Sequence, residues 1–415
     1  MIRRIATFLF VLLVAACSPK TADEAPAVLA DGMERIEIIA DVPEGAGTVY
    51  ITGNLDSLGP WKPDALAMQG TGTERHISLT RPKGKEFEYK FTLGSWQREG
   101  LGPSGTVMAN MVLRVGETSA HQQVVDFKKD NREYIADVAN AGIVGHLDYW
   151  LDVPSTHLSK TRNVSIWTPP GYEDHPEKTY RVIYMTDGQN LFDPRIANTG
   201  TDWGADETMV ALADQGIEPA IIVSSWSTSK RFEEYSPWHG GEDYAQFLID
   251  ELMPRVEAAY RVKTGPENTF HAGSSMGGLI SFYLVTHHPD VFGACGCLST
   301  HFPLSPEVVV QMFPDFHGGS TPDKKPYLYT DIEAGMKPPP GVRYWFDYGT
   351  RGLDAEYGPT HAVLHDWLID NGLVEGRDFV VRQYDGATHN EASWRARLPD
   401  VFTFLLAPDR EPPPQ

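Results

Sequence analysis

The chain has 415 residues, enough for two domains at about 100–200 residues apiece, and 41% of them are hydrophobic, which supplies buried cores. Its formal net charge of −21 excludes nucleic acid and anionic membrane surfaces as electrostatic partners and reads as a solvated acidic surface. Its 3 cysteines, without paired histidine spacing, supply no disulfide framework and no metal-binding pattern, and no cofactor is expected.

Residues 1–17 open with Met1-Ile2-Arg3-Arg4 and an apolar run from Ile5 to Ala16, too short to span a bilayer. The run ends in Leu13-Val14-Ala15-Ala16-Cys17. This resembles a bacterial lipoprotein signal, whose cysteine is lipidated and becomes the first residue after cleavage. Ser18 rather than aspartate follows, which resembles sorting to the outer membrane. The resemblance implies an exported lipoprotein, periplasmic or surface-facing, that meets the membrane only through a lipid on Cys17. Residues 18–32 lack periodicity and read as a flexible tether.

Residues 33–128 alternate apolar and polar side chains in short stretches such as Arg35–Ala40, Thr48–Thr52, Arg75–Leu79 and Phe87–Phe91. Gly and Pro turns separate them, the pattern of a small all-β sandwich. Val49-Tyr50-Ile51-Thr52-Gly53-Asn54, Leu58-Gly59-Pro60-Trp61-Lys62-Pro63, Phe87-Glu88-Tyr89-Lys90-Phe91 and Trp96 resemble the family 20 starch-binding (carbohydrate-binding) modules. That resemblance implies sugar stacking on Trp61 and Trp96, because an aromatic face matches the C–H face of a pyranose, and makes a polysaccharide a candidate partner. Met111 stands where the family often has arginine. The competing reading is a scaffold or gate for the second domain.

Residues 140–408 alternate strand-like and helix-like runs. Strands are expected over Arg162–Trp167, Tyr180–Met185, Ala220–Val223, Ala294–Leu298, Tyr344–Tyr348 and Asp378–Arg382, with helices near Thr208–Gln215 and Tyr244–Tyr260. The alternation predicts a mainly parallel sheet with helices on both faces, ligands binding at the carboxyl ends of the strands. Between an apolar strand and a helical run lies Gly273-Ser274-Ser275-Met276-Gly277-Gly278. Its G-x-S-x-G spacing suits a serine on a sharp turn, where neighbouring chain must come close. Cys295 and Cys297, two residues apart on one strand face, read as small buried hydrophobes.

The stretches Pro169–Tyr172, Met185–Phe192, Arg231–Pro237, Gly273–Gly278 and Gly386–Glu391 together resemble the putative esterase (esterase D-like) family of α/β-hydrolases. Chemistry asks for a base beside Ser275, and in this fold the triad runs serine, acid, histidine. His389, in a small-residue loop after a strand, fits; His361 and His365 on one helical stretch are rivals. For the acid, Asp347, Asp354 and Glu356 lie in or after one strand, and the Gly349–Asp354 loop delivers Asp354 beyond its end; Asp385 is the fallback. The oxyanion donors are expected to be the amides of Met276 and, by family position, Gln189. The resemblance also places Trp203, Arg231, Glu234 and Tyr235 near the site, to grip substrate or to fix a loop.

The expected activity is a serine esterase working through an acyl-enzyme on a small-molecule, carbohydrate or siderophore-type ester. An acyltransferase on the same fold and a non-catalytic glycan-binding surface protein are the alternatives.

Overall fold

The computed structural model describes residues 29–59, 61–105, 107–129, 135, 142–308 and 324–410. Cys17 and the leader lie outside them. Nine short strands build the first unit: β1 (Met33–Asp41), β2 (Tyr50–Gly53), β3 (Leu66–Ala67), β4 (Glu74–Pro82), β5 (Phe87–Thr92), β6 (Gly100–Leu101), β7 (Met111–Leu113), β8 (Ser119–Gln123) and β9 (Asp126–Phe127). They form sheets of order β4-β1-β8, β3-β2-β5-β7 and β6-β9. Alternation sends Ile36, Ile38, Ile51, Tyr89 and Phe91 inward to one core.

The second unit is built on β10 (His146–Val153), β11 (Arg162–Thr168), β12 (Val182–Met185), β13 (Ile221–Ser225), β14 (Thr269–Ser274), β15 (Ala294–Leu298), β16 (Arg343–Gly349) and β17 (Phe379–Tyr384). The sheet order is β10-β11-β13-β12-β14-β15-β16-β17. Pairing is antiparallel from β10 to β13 and parallel from there to β17. Apolar clusters cover both faces of this sheet, one around Tyr184, Leu279, Phe282 and Phe346, the other around Ile183, Trp203, Trp345 and Phe402. This is an α/β-hydrolase fold preceded by an all-β unit.

The elements depart from the expected bounds where tertiary contacts override local pattern. The strand expected from Tyr180 begins at Val182, because Tyr180 makes only an isolated bridge to Val262. The helix expected from Tyr244 begins at Gly241 and passes through a π-helical stretch, Phe247–Leu252. Strand β10 has no counterpart in the sequence reading; it is an edge strand whose middle is neither clearly buried nor clearly exposed.

The two units are tied at a buried charge cluster. Lys90 pairs with Glu99 at 3.1 Å, and Lys128 donates across the boundary to the Ile196 carbonyl at 2.5 Å. Burial pushes the Lys128 ammonium down to about 8, with the Glu99 carboxylate holding it from falling further.

At the end of β14 the chain turns sharply into the helix Met276–His287. The glycines here are required by space. A Cβ on Gly277 would sit 2.2 Å from Thr186 Oγ1, and one on Gly273 would meet the same atom at 2.2 Å and the Gly277 backbone at 2.8 Å. Gly277→Ala should therefore cost about 1–3 kcal/mol, the usual range for overpacking. Among the described residues Thr186 Oγ1 is buried without a partner, so Thr186→Ala should recover much of that loss in Gly277→Ala but little in Gly273→Ala. Thermal unfolding of the three single and two double variants measures this.

Candidate active site

Ser275 occupies the turn with φ 58° and ψ −120°, in the left-handed region. A non-glycine residue there is strained and is held by its surroundings. Its amide donates to the Leu298 carbonyl at the end of β15, at 2.9 Å. The turn leaves the side chain half-buried on a cavity of about 340 Å³, whose walls include Met276, Ser229, Arg231, Phe232 and His301. The Met276 amide opens the helix, where no intrahelical acceptor exists for it and the helix dipole is positive.

Asp354 lies beyond β16 in the short turn Gly352–Glu356, and His389 lies beyond β17, just before a helix capped by the Asn390 side chain. The structure brings the two together: Asp354 Oδ1 is 2.6 Å from His389 Nδ1. The second carboxylate oxygen accepts from Ser299 Oγ at 2.6 Å and from the Gly349 amide at 2.8 Å. Burial alone would raise this carboxyl, but the hydrogen bonds from His389 and Ser299, the His389 charge and the Gly349 amide together hold it below the ordinary aspartate value. An ionised Asp354 therefore accepts from Nδ1–H, which leaves the lone pair of His389 on Nε2.

The other candidates are placed elsewhere. Asp347 is buried within β16, bonded by the Trp345 indole at 2.8 Å and the Ser299 amide at 3.1 Å and paired with Arg397 at 3.0 Å; burial raises its carboxyl. Asp385 and Glu356 are exposed, Asp385 accepting from Gln383 at 2.8 Å. His361 is buried on the Tyr357 carbonyl, its pKa pushed down to about 4 by that burial, and His365 pairs with Glu375 at 3.4 Å. Ser299 went unnoticed in the sequence; it also receives Trp394 Nε1 at 3.0 Å and Arg397 Nη2 at 2.8 Å.

Gln189 sits in the turn Gly188–Asn190 after β12, its side-chain amide locked to Ser227 by bonds of 2.7 and 3.1 Å. Of the four loop residues expected near substrate, Arg231 alone lines the cavity at Ser275. Its guanidinium grips both Asp187 oxygens at 2.7 Å. Trp203 packs on Trp394, Glu234 pairs with Arg162 at 2.9 Å, and Tyr235 is wholly buried against Tyr244. Each of these three finds an internal partner that local sequence does not reveal.

Arg231 and Ser229 also line a second, larger space of about 780 Å³ between the two units. Trp61 and Trp96 form part of its far wall, both half-buried, with ring centroids 6.5 Å apart. Cys295 and Cys297 are buried free thiols. The carboxylates of Asp202, Asp206 and Glu207 lie within 4.8 Å of one another, and Arg395 supplies cationic charge there, 2.5 Å from Asp202 and 3.4 Å from Glu207.

A family model described as "Putative esterase" matches residues 155–405, more than half of the chain. An uncharacterized protein, YbbA, of Bacillus subtilis is 24% identical over 35% of this chain and 59% of its own length. An endo-1,4-beta-xylanase/feruloyl esterase of Xylanibacter ruminicola is 26% identical over 42% of this chain and 24% of its own, and an iron(III) enterobactin esterase of Dickeya dadantii is 28% identical over 39% and 34%. The chain thus spans between a quarter and three fifths of the length of these curated relatives. The solved structure of the Shigella flexneri enterobactin esterase in the presence of enterobactin is 17% identical, covering 92% of this chain and 95% of its own, with a TM-score of 0.49.

The depressed carboxyl of Asp354 has a consequence for stability. A group whose folded pKa lies below its unfolded value stabilises the fold above the unfolded value, and the contribution disappears as pH falls through the folded one. Asp354→Asn should cost about 1.5–3 kcal/mol at neutral pH, the range for hydrogen bonds to a charged group. The gap to the native protein should narrow below about pH 4. Denaturant unfolding of both proteins at pH 7 and in acid measures it.

Proposed function

The chain belongs to the putative esterase family, and from that premise we propose that it hydrolyses carboxylic esters through an acyl-enzyme on Ser275. The observation that carries the reading is the 2.6 Å bond from His389 Nδ1 to a buried, ionised Asp354, at the same end of the sheet as a strained serine on a cavity. His389 takes the serine proton on Nε2, Oγ attacks the ester carbonyl, and the alcohol leaves with that proton. Water then attacks the acyl-enzyme with His389 again as base. Asp354 fixes the tautomer and stabilises the imidazolium. The amides of Met276 and Gln189 are the proposed donors to the oxyanion, each worth about 2.7–4 kcal/mol of barrier if removed.

The substrate reaches beyond the cavity. Ser229 and Arg231 line both the cavity and the cleft leading to Trp61 and Trp96, which supports an ester with an extended carbohydrate or aryl portion lying against the β unit. Among the four loop residues, Arg231 is the one proposed to face substrate. The names of the relatives make feruloyl esters and enterobactin the first compounds to try, alongside acetylated sugars.

Ser275→Ala should reduce hydrolysis of p-nitrophenyl acetate by at least about a thousandfold and abolish labelling by a fluorophosphonate; a variant that keeps full activity overturns the nucleophile. Trp61→Ala and Trp96→Ala should each raise KM for the larger ester about two- to tenfold, the loss of one aromatic contact, and leave p-nitrophenyl acetate unaffected. Unchanged KM for every extended ester in a panel would remove the β unit from the substrate path.

A further inference from the structure

Tyr357 closes the turn that carries Asp354 and is wholly buried. Its ring meets that of His389 edge to face, with centroids 5.7 Å apart at 87°. Its hydroxyl lies 2.7 Å from Nδ1 of His301. Burial drives the phenol pKa upward, and among the opposing influences is the Ser275 side chain beside the same hydroxyl. His301 is tied to the turn as well: its amide donates to the Ser275 carbonyl at 3.3 Å, and it lines the cavity at Ser275.

The direction of this chain of groups follows from what is left over. Among the described residues, His301 Nε2 is buried without a hydrogen-bond partner. Burial, with like charge from His389 and Arg231, pushes this imidazole down to about 4, so it is neutral at neutral pH and carries one N–H. A buried N–H without an acceptor is the rarer and costlier orphan, so the proton belongs on Nδ1, donating to Tyr357. The phenol hydrogen is then free, and the neighbouring Ser275 hydroxyl is a group able to accept it.

We propose that Tyr357 donates a hydrogen bond to Ser275 Oγ during the reaction, with His301 as the positioning residue that aims its hydroxyl. This rests on Ser275 being the nucleophile. During attack, the serine proton passes to His389 Nε2 while Oγ bonds to carbon, and Tyr357 keeps its proton. During deacylation the C–Oγ bond breaks and its electron pair returns to Oγ. Tyr357 steadies that developing charge while His389 delivers the proton. A donor preset at this oxygen needs no reorganisation at the moment of reaction.

The test uses the full chain and p-nitrophenyl acetate. Tyr357→Phe should lower kcat about ten- to a hundredfold, as expected for a hydrogen bond to a charged oxygen, with KM within about twofold. His301→Leu should fall similarly. His301→Asn, which keeps an N–H where Nδ1 stood, should stay near the native rate. The Tyr357→Phe/His301→Leu double variant should be no slower than Tyr357→Phe alone. Fluorophosphonate labelling of Ser275 should slow in the same order. A native kcat for Tyr357→Phe overturns the proposal, as do additive losses in the double variant or equal losses for His301→Asn and His301→Leu. Should thermal melts show Tyr357→Phe unfolded, the Asn and Leu variants at His301 decide alone. Ser275→Ala separates the two levels: if it stays active the nucleophile reading fails, whereas if it is dead while Tyr357→Phe is unimpaired, only the role of Tyr357 fails.

Discussion

Asp354 has no exposed surface, and the ends of three strands are arranged around its charge. A buried carboxylate is costly unless every lone pair is met. Here the residue just past β15 contributes the hydroxyl of Ser299, β16 the amide of Gly349, and the loop after β17 the imidazole of His389. The helix Glu391–Leu406 adds Arg397, bound to the same serine at 2.8 Å. Loss of any one donor would leave an acceptor unmet and loosen the others. The carboxylate that meets His389 is thus held by Ser299 and Gly349 as well as by the imidazole.

The serine side of the site depends on close approach instead. Thr186, Gly273 and Gly277 occupy space that admits no further atom, and the strain at Ser275 is sustained by the hydrogen bond from its amide to the Leu298 carbonyl. Close packing and charge satisfaction therefore divide the site between them. Both depend on neighbouring parallel strands ending at the same level, which is what a sheet of this order provides.

Much of this was legible in the sequence where local geometry forces residue choice. A serine among three glycines between an apolar strand and a helical run specifies a turn, and the alternation of strand and helix specifies the sheet. Asp354 and His389 emerged from the fold's order of residues, and their loops could be located because each follows an apolar strand. Ser299, His301 and Tyr357 were not legible. Ser299 meets Asp354 across 55 residues and His301 meets Tyr357 across 56, and nothing local marks a hydroxyl or an imidazole as facing inward. Glu234 and Tyr235 carry no local sign of burial either, yet Arg162 and Tyr244 enclose them, which suits the loop-fixing alternative.

The bond from Lys128 to the Ile196 carbonyl bears on how such a chain could be taken apart. A tethered sugar-binding domain can be cut away or exchanged at its linker with little consequence for its neighbour. Here the lysine is 6% exposed and shares its enclosure with Glu99 and Lys90. Removing the β unit would bare a carbonyl on a loop that borders the cleft, and a foreign module would have to bring its own cation to the same point. The boundary is therefore a poor site for shuffling, and changes on its two sides are expected to accumulate together.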